Sequence, residues 1–381
     1  MKKSAYDASR MYIHRRIVVR FLEALLVLLS VAAFVTIALG LGTATPSAGQ
    51  EDSGTPTKLT DTTPFYVLLI GSDSLEGTAL YTGDVNARQQ GDPQADSLLL
   101  TRVDPGECTL TFVTIPSNTV IEDADELVRD TLTETSAKDT VHMVERIAGV
   151  SVRYHFVMGF SAFETLVSQI GNVTTDVPVA ITMEDPVTAK AVTVPAGKDI
   201  ELDAAQTLAF LRSSEPYVAD ADPHRQLNVR TVIGNLVMQV LESEDSVVRK
   251  DLGVFEGQVQ TNMGNNTLIS LVTRFYDEKE RVRVYACTGP YLSSSINANG
   301  EPVIESQVSA WRELMTVVDS GADPAEVMPQ YDFRGSEDDY VKPKAPASST
   351  SADASSSSSS SKGSKPAKEK SSSTSSSSKA S

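Results

Sequence analysis

Residues 65–74 read FYVLLIGSDS and residues 95–105 read ADSLLLTRVDP. Each stretch contains a mainly apolar run, at 65–70 in the first and at 98–103 in the second. Such a run is typical of a strand buried on both faces. A third strand is predicted at 109–115, between a Pro-Gly turn and a closing proline. These neighbouring strands predict the centre of a β-sheet, and the rest of the domain is expected to pack around them.

Aspartates stand at the margins of the first two strands. Asp73 follows the first strand in a Gly-Ser-Asp sequence, and Asp96 precedes the second. Ligand groups are commonly found where buried strands of α/β sheets end. A pair of carboxylates suits Mg²⁺, which takes a few carboxylates, water and the phosphate of a substrate. Aspartates are also common turn and cap residues, so both interpretations are open at this point.

Helices and further strands follow these three strands. The apolar periodicity predicts helices at 140–149, 162–170, 202–211 and 227–241, and strands at 151–160 and 173–181. Asp203 is the expected N-cap of the third helix, which ends in Arg212. Asp222 and Arg225 stand just before the fourth helix.

The N-terminal region predicts a membrane anchor. Residues 24–42 form a charge-free stretch of 19 residues, which as a helix spans about 28 Å, close to the thickness of the hydrocarbon core of a bilayer. Arginines precede it, so the positive-inside rule places the N-terminus in the cytoplasm and the main domain outside. A cleaved signal peptide is the alternative, but its apolar region is usually only 7–15 residues long.

The charge is divided unevenly along the chain. The formal net charge is −17, but residues 1–20 and residues 341–381 each carry +5, so the 320 residues between them carry −27. Nonspecific binding to nucleic acid needs a basic face, and this balance excludes nucleic acid as a partner. We predict a basic cytoplasmic segment at 1–20, a transmembrane helix at 21–42, an extracellular tether at 43–63, one large domain at 64–330 and a disordered Ser/Lys-rich tail at 341–381.

Only two cysteines occur, Cys108 and Cys287, and both are outside the cell if the predicted topology holds. Two cysteines in an oxidising compartment can form a disulfide, and the sequence leaves this open. The four histidines are spread along the chain and no Cys-x-x-Cys motif is present, which argues against a zinc site.

The motifs above resemble those of the LytR-CpsA-Psr family of bacterial cell-envelope proteins, and the resemblance covers about residues 64–330. The family's Ser-Ile-Pro-Arg-Asp-Thr motif corresponds to residues 114–119, Thr-Ile-Pro-Ser-Asn-Thr. The other matching segments are LLIGSDS, ADSLLLTRVDP, GFSAFETLVSQIGNV, GKDIELDAAQTLAFLR and ADPHRQLNV.

This resemblance implies an α/β (α+β) fold, in which a mixed central sheet is flanked by helices and follows one transmembrane helix. It also implies an apolar cavity for the polyprenyl chain of a lipid-linked pyrophosphate. The implied activity is transfer of a glycopolymer from that polyprenyl-pyrophosphate carrier onto peptidoglycan, outside the membrane. In this setting the tail is either a solvated spacer or a contact for anionic wall polymer.

The resemblance also implies roles for five residues. Asp73 and Asp96 correspond to metal-side aspartates that would hold Mg²⁺, and Arg212 and Arg225 correspond to arginines around the pyrophosphate. Asp222 would orient Arg225 or assist proton removal from the acceptor hydroxyl. Such a site is chemically reasonable, because phosphoryl transfer depends on positioning and charge neutralisation and a guanidinium fits phosphate oxygens in a bidentate manner.

Several family positions are changed in this chain. This chain has Ser117-Asn118 where the family has Arg-Asp, Asn228-Val229 where it has Arg-Gln, and Gln94-Ala95 where it has Arg-Ser. Asn172 replaces the second glycine of a Gly-Gly pair. Arg230 and Arg102 are candidates to compensate for the lost charge. Two hypotheses follow: an active phosphotransferase, or an impaired polyprenyl-pyrophosphate-binding paralogue that acts as an accessory or regulatory module. The predicted topology and the acidic domain argue against direct contact with DNA.

Overall fold

A computed structural model describes residues 60–79, 93–121, 126–214, 216–217, 221–242, 259–291, 294–297, 300–335 and 339. The predicted cytoplasmic segment, transmembrane helix and tail, and the tether up to residue 59, lie outside these residues. No helix within the described part of the chain is both long and apolar enough to cross a bilayer.

The described residues alternate between strands and helices. The strands are β1 (Phe65–Ser72), β2 (Ala95–Asp104), β3 (Thr109–Ile115), β4 (Thr119–Val120), β5 (Val152–Met158), β6 (Val173–Val177), β7 (Ile181–Glu184), β8 (Ala191–Val194), β9 (Gly197–Leu202), β10 (Val259–Thr261), β11 (Arg283–Thr288), β12 (Ser294–Ile296) and β13 (Pro302–Glu305). The helices are α1 (Lys138–Ala148), α2 (Phe160–Ile170), α3 (Ala204–Arg212), α4 (Ala221–Glu242), α5 (Asn265–Asp277), α6 (Val308–Asp319) and α7 (Pro324–Val327), with short 3₁₀ turns at Val128–Thr131, Lys279–Arg281 and Pro329–Tyr331.

The central sheet has six strands in the order β10-β5-β1-β2-β3-β11. The pairs β1–β2, β2–β3 and β5–β10 are antiparallel, whereas β1–β5 and β3–β11 are parallel. The expected mixed sheet flanked by helices is therefore confirmed. A second sheet joins β12, β13 and β4, and two smaller pairs join β6 with β9 and β7 with β8.

Each face of the central sheet carries its own hydrophobic core, because side chains alternate between the faces of a strand. The first core packs Leu69, Leu99 and Phe112 under helices α2 to α5. The second core packs Leu68 and Leu100 under α1 and α6. Because β1 to β3 are covered on both faces, nearly all of their residues are buried, including the threonines and Arg102 that stand among the apolar residues of β2 and β3.

A β-bulge shapes the end of β1 and the beginning of β2. Ser72 pairs with Ala95 and Gly71 pairs with Ser97, so Asp96 is an extra residue on its strand. A Cβ atom at Gly71 would lie 3.0 Å from the Cβ of Ser97, so the two strands approach this closely because residue 71 is glycine. Bulges redirect side chains near functional sites.

Two predicted elements differ from the structure by more than three residues at one end. The strand predicted at 173–181 is divided into β6 and β7, because Pro178 lies between them and has no N–H for a strand ladder. Helix α4 begins at Ala221, six residues before the predicted start. Asp222 in its first turn complements the positive end of the helix, and Pro223 is tolerated there.

The two cysteines do not form a disulfide. Cys108 is buried in the first core and Cys287 in the second, on opposite faces of the sheet. Burial raises the pKa of the Cys287 thiol to about 12 and also raises that of Cys108. Both are therefore neutral core residues.

Candidate functional site

A cavity lies between one face of the central sheet and helices α2, α3 and α4, with a free volume of about 1020 Å³ including its open mouth. Most of its lining is apolar, and it includes Leu69, Leu99, Phe156, Met158, Phe160, Phe163, Leu208, Leu211, Val229 and Ile233. Charged or polar side chains also line it, among them Asp96, Ser117, Arg212, Asp222, Arg225 and Gln226. An apolar cavity with a few polar groups has the general form of a ligand-binding site.

The structure brings four of the five predicted site residues to this cavity. Asp96, Arg212, Asp222 and Arg225 all line it. Asp73 is not part of the lining, but its backbone N–H donates to the carbonyl of Gln94 at 3.1 Å, just before Asp96. All five residues therefore belong to one region, built from β1, β2, α3 and α4.

Arg225 is held by neighbours on two elements. One of its terminal nitrogens, Nη2, donates to Asp222 Oδ1 at 2.9 Å and to the Ser117 hydroxyl at 3.3 Å. Asp222 and Arg225 are three residues apart, so both side chains lie on the same face of α4. The second oxygen of Asp222 accepts from Gln226 Nε2 at 2.5 Å.

Arg212 is held by uncharged groups. The start of α3 is fixed by a capping box between Asp203 and Gln206, and Arg212 is its last residue. Its guanidinium lies 4.7 Å from the centre of the Phe160 ring and donates to the Glu184 carbonyl at 3.4 Å. Burial lowers the pKa of Arg212, while the nearby charge of Asp96 acts in the opposite direction. Its contacts leave the cationic charge without a paired carboxylate among the residues that the structure describes.

Asp73 and Asp96 have the character of a carboxylate pair that a cation would stabilise. Burial raises the pKa of Asp73, a hydrogen bond from the Gln94 N–H lowers it, and the negative charge of Asp96 raises it further. Within the described ranges, no group of three or more His, Cys, Asp or Glu could hold a metal ion. The residues fit Mg²⁺ nonetheless, because Mg²⁺ in phosphate-handling sites is held by one or two carboxylates together with substrate phosphates.

Comparison with known proteins identifies the family. The model of the LytR_cpsA_psr family matches residues 37–313, which is more than half of the chain. The chain belongs to the LytR_cpsA_psr family. A curated relative, the polyisoprenyl-teichoic acid–peptidoglycan teichoic acid transferase TagU of Bacillus licheniformis, is 24% identical over 226 residues. The match covers 58% of this chain and 66% of that relative, slightly less than two thirds of its length.

Solved structures share the fold at low sequence identity. TagV of B. subtilis is 17% identical with a TM-score of 0.52, and the match covers 72% of this chain and all of that one. TagT bound to LIIa-WTA is also 17% identical, with a TM-score of 0.50 and coverage of 68% and 90%. These similarities show that the domain has the fold of known LytR_cpsA_psr structures.

Ser117 and Asn118, which replace the Arg-Asp of the family's Pro-Arg-Asp motif, lie in different environments. Ser117 is buried, lines the cavity and accepts a hydrogen bond from Arg225. Asn118 is absent from the cavity lining, and its amide donates to the Pro302 carbonyl at 3.0 Å. The change at 117 thus removes a guanidinium from the cavity, whereas the change at 118 serves a contact with β13.

Asn228 and Val229, which replace the family's Arg-Gln pair, also lie in different environments. Val229 adds to the apolar lining, whereas Asn228 donates to the Phe210 carbonyl and to the Tyr217 hydroxyl. Neither candidate for compensation lines the cavity. Arg230 donates to the Phe333 carbonyl, and Arg102 forms a salt bridge of 3.1 Å with Asp104. The hypothesis that these two arginines replace the lost charge finds no support in their positions.

If the domain transfers glycopolymer as its family relatives do, replacing Ser117 by Arg should raise the transfer rate by about tenfold, because it returns a phosphate-binding guanidinium to the cavity. Ser117→Arg alone is the sharper test, since Asn118→Asp would remove the hydrogen bond to the Pro302 carbonyl. The measurement is the initial transfer rate, with Asn118→Asp as a control that is expected to lower only stability. An unchanged rate in Ser117→Arg would contradict the view that the missing guanidinium limits transfer.

A pair of acidic residues beside the site was not predicted from the sequence. Glu164 on α2 faces Asp185, which also lies near Arg212. Burial raises the pKa of Glu164 to about 8, and a hydrogen bond to Asp185 adds to the effect. Glu164 is therefore largely protonated at neutral pH. Glu164 and Asp185 are 21 positions apart in the sequence, and no sequence motif connects them.

Glu164 should make the free energy of unfolding depend on pH. Its pKa in the folded state, about 8, is above the ordinary value of 4.5. The stabilisation is complete below the ordinary value and is lost as the pH rises towards 8, because the unfolded chain releases this proton first. Glu164→Gln should remove this loss. When the pH is raised from 5 to 8.5, the free energy of unfolding of the variant should therefore increase by about 1–2 kcal/mol relative to that of the wild type, allowing for solvent screening. Urea unfolding at both pH values measures it, and parallel pH profiles would contradict it.

Proposed function

We propose that this protein is a membrane-anchored extracellular phosphotransferase, which moves a glycopolymer from a polyprenyl-pyrophosphate carrier onto peptidoglycan during cell-wall assembly. The observation that carries the proposal is the cavity, whose lining combines many apolar side chains with Arg212, Arg225, Asp96 and Asp222. A polyprenyl pyrophosphate combines the complementary features, a long apolar chain and one strongly anionic group.

Family membership supports the proposal. The curated relative is named as a transferase of teichoic acid from a polyisoprenyl carrier to peptidoglycan. The apolar lining would hold the polyprenyl chain, and the two arginines would bind the pyrophosphate as planar, bidentate donors. The domain is acidic overall, so local positive charge is needed to bring an anionic carrier into the cavity.

The reaction makes one phosphorus–oxygen bond and breaks another. An acceptor hydroxyl oxygen attacks the phosphorus that bears the glycopolymer, and polyprenyl phosphate leaves with the bridging oxygen. Arg212 and Arg225 would stabilise the negative charge that develops on the phosphate oxygens, a contribution that depends on preorganised donors. The hydroxyl proton passes to a base, for which Asp222 and water are the two candidates.

Asp73 and Asp96 would hold Mg²⁺. When bound, this ion neutralises phosphate charge. The chain itself supplies the two carboxylates, and the bulge at Asp96 directs one of them into the cavity. We further propose that the segment at 21–42 anchors the chain with its N-terminus in the cytoplasm, so that the domain meets its carrier at the outer surface of the membrane.

The full-length protein in detergent, mixed with a lipid-pyrophosphate glycan and peptidoglycan, tests the function. We expect glycan to be transferred to peptidoglycan when Mg²⁺ is present, and we expect no transfer when a chelator is added. A protein that binds the lipid but transfers nothing would exclude the enzyme. That result would favour the second candidate, an impaired polyprenyl-pyrophosphate-binding paralogue with an accessory or regulatory role. The specific observation behind this candidate is the uncharged Ser117 in the cavity.

A further inference from the structure

Gln226 forms a buried polar contact between the central sheet and the charged residues of α4. Its side-chain oxygen accepts from the Thr114 hydroxyl at 2.9 Å and from the Thr288 hydroxyl at 2.8 Å. These two threonines are direct partners in the parallel pair β3–β11. Gln226 is only 7% exposed, so its hydrogen bonds are protected from water.

This arrangement fixes the orientation of the Gln226 amide. Both threonine hydroxyls donate to its oxygen, and its nitrogen faces Asp222 and donates to Oδ2 at 2.5 Å. The opposite orientation would place the amide oxygen against a carboxylate oxygen, and two acceptors repel each other. The Asp222 carboxylate, which can only accept, therefore fixes the orientation of the amide, and the threonine hydroxyls, which can donate or accept, hold its oxygen.

Asp222 is then held through both of its oxygens. Gln226 donates to Oδ2, and Arg225 donates to Oδ1 at 2.9 Å. A carboxylate fixed in this way can hold the Arg225 guanidinium in one orientation, towards Ser117 and the cavity. Each oxygen therefore accepts a hydrogen bond from a neighbour on the same helix, which supports a role in orientation.

We infer that Gln226 is a positioning residue, which acts through Asp222 to orient Arg225 towards the pyrophosphate, and that Asp222 serves as the support of Arg225 rather than as a base. The part of this inference that concerns the pyrophosphate rests on the proposed function. Gln226 lies outside the Asp-x-x-Arg-x-x-Arg-Gln correspondences, which place Val229 at the family's glutamine.

The test is a double-mutant cycle between Gln226→Leu and Asp222→Ala in the full-length protein. One readout is the dissociation constant of geranyl pyrophosphate, a short soluble probe, and the other is the transfer rate. If Gln226 acts through Asp222, Gln226→Leu should lower both binding and transfer about tenfold in the wild-type background. In the Asp222→Ala background it should change them less than twofold, because its target is gone. Gln239→Leu, on the same helix but outside the cavity lining, is the matched control and should change neither.

A second variant guards against a simple loss of folding. Gln226→Glu keeps the size of the side chain, and its protonated form can still donate to Asp222. The other charged groups of the cavity lining, Asp96, Arg212 and Arg225, are unchanged. We expect transfer by this variant to approach that of the wild type at low pH and to fall about tenfold as the pH rises, because two carboxylates at this distance repel each other once both ionise. The ratio of variant to wild-type rates isolates this effect.

Equal losses in both backgrounds, or a pH-independent ratio for Gln226→Glu, would overturn the inference, since they indicate a purely structural role. A wild-type protein that binds geranyl pyrophosphate without transferring glycan would overturn the proposed enzyme alone, and the binding cycle would still decide the role of Gln226. A wild-type protein that does not bind the probe would overturn both.

Discussion

Replacing Arg212 by Ala should lower the rate of glycopolymer transfer by about 10²–10³-fold, the usual cost of removing one preorganised donor from a transition state. Arg212 is held by the Phe160 ring and the Glu184 carbonyl, both of which are uncharged. By contrast, part of the charge of Arg225 is already neutralised by Asp222. Arg212 therefore offers the least compensated positive charge in the cavity lining, and we expect it to contribute most to transition-state stabilisation.

The measurement is the initial rate at saturating lipid-pyrophosphate glycan, together with the affinity for a pyrophosphate-free polyprenol. Affinity for the polyprenol should be unchanged, because the apolar lining is intact. Arg212→Lys should have an intermediate rate, since an ammonium keeps the charge but loses the planar fork. Arg312→Ala, at an exposed position on α6, is the control. A rate within threefold of the wild type in Arg212→Ala would exclude Arg212 from the reaction.

Replacing Asp96 by Asn should lower transfer by about 10²-fold at moderate Mg²⁺ and raise the Mg²⁺ concentration needed for half-maximal rate. Asp96 is the extra residue of the β-bulge and lines the cavity, whereas Asp73 lies beside the cavity with one oxygen accepting from the Gln94 N–H at 2.6 Å. We therefore expect Asp96 to be the more important of the two carboxylates for a metal that contacts substrate.

Transfer rates measured across a Mg²⁺ series distinguish a weakened metal site from a general loss of activity. A weakened site recovers part of the rate at high Mg²⁺, whereas a misfolded protein does not. Asp139→Asn, at an exposed position on α1, controls for the loss of one negative charge. An unchanged Mg²⁺ dependence in Asp96→Asn would remove Asp96 from the proposed metal site.

The sequence predicted the central strands and most helices because local pattern determines them. Residues 65–70 are apolar without interruption, residues 98–103 are apolar except for Thr101 and Arg102, and both stretches form strands covered on both faces. Asp203 was predicted as an N-cap, and it caps α3. The motif correspondences also indicated that Asp96, Arg212, Asp222 and Arg225 belong to one site, and the structure brings all four to one cavity.

What the sequence could not show depends on contacts between distant residues. The Gln226 side chain is held by threonines 112 positions before it and 62 after it. The raised pKa of Glu164 depends on its burial and on Asp185, 21 positions away in the sequence, which only the tertiary fold brings near. The separation of Cys108 from Cys287 follows from the face of the sheet to which each belongs, and a single sequence does not establish which strands will be neighbours.

The cavity is also a gap in the first core, because Leu69, Leu99 and Phe163 belong both to that core and to the cavity lining. An isoprenoid chain in the gap would occupy the place of missing core side chains. A ligand that binds only the folded state adds to the free energy of unfolding, by about 2.7 kcal/mol at a hundredfold excess over its dissociation constant. The carrier lipid would then stabilise the fold as well as supply the glycopolymer, and the domain would be most stable where the lipid is abundant.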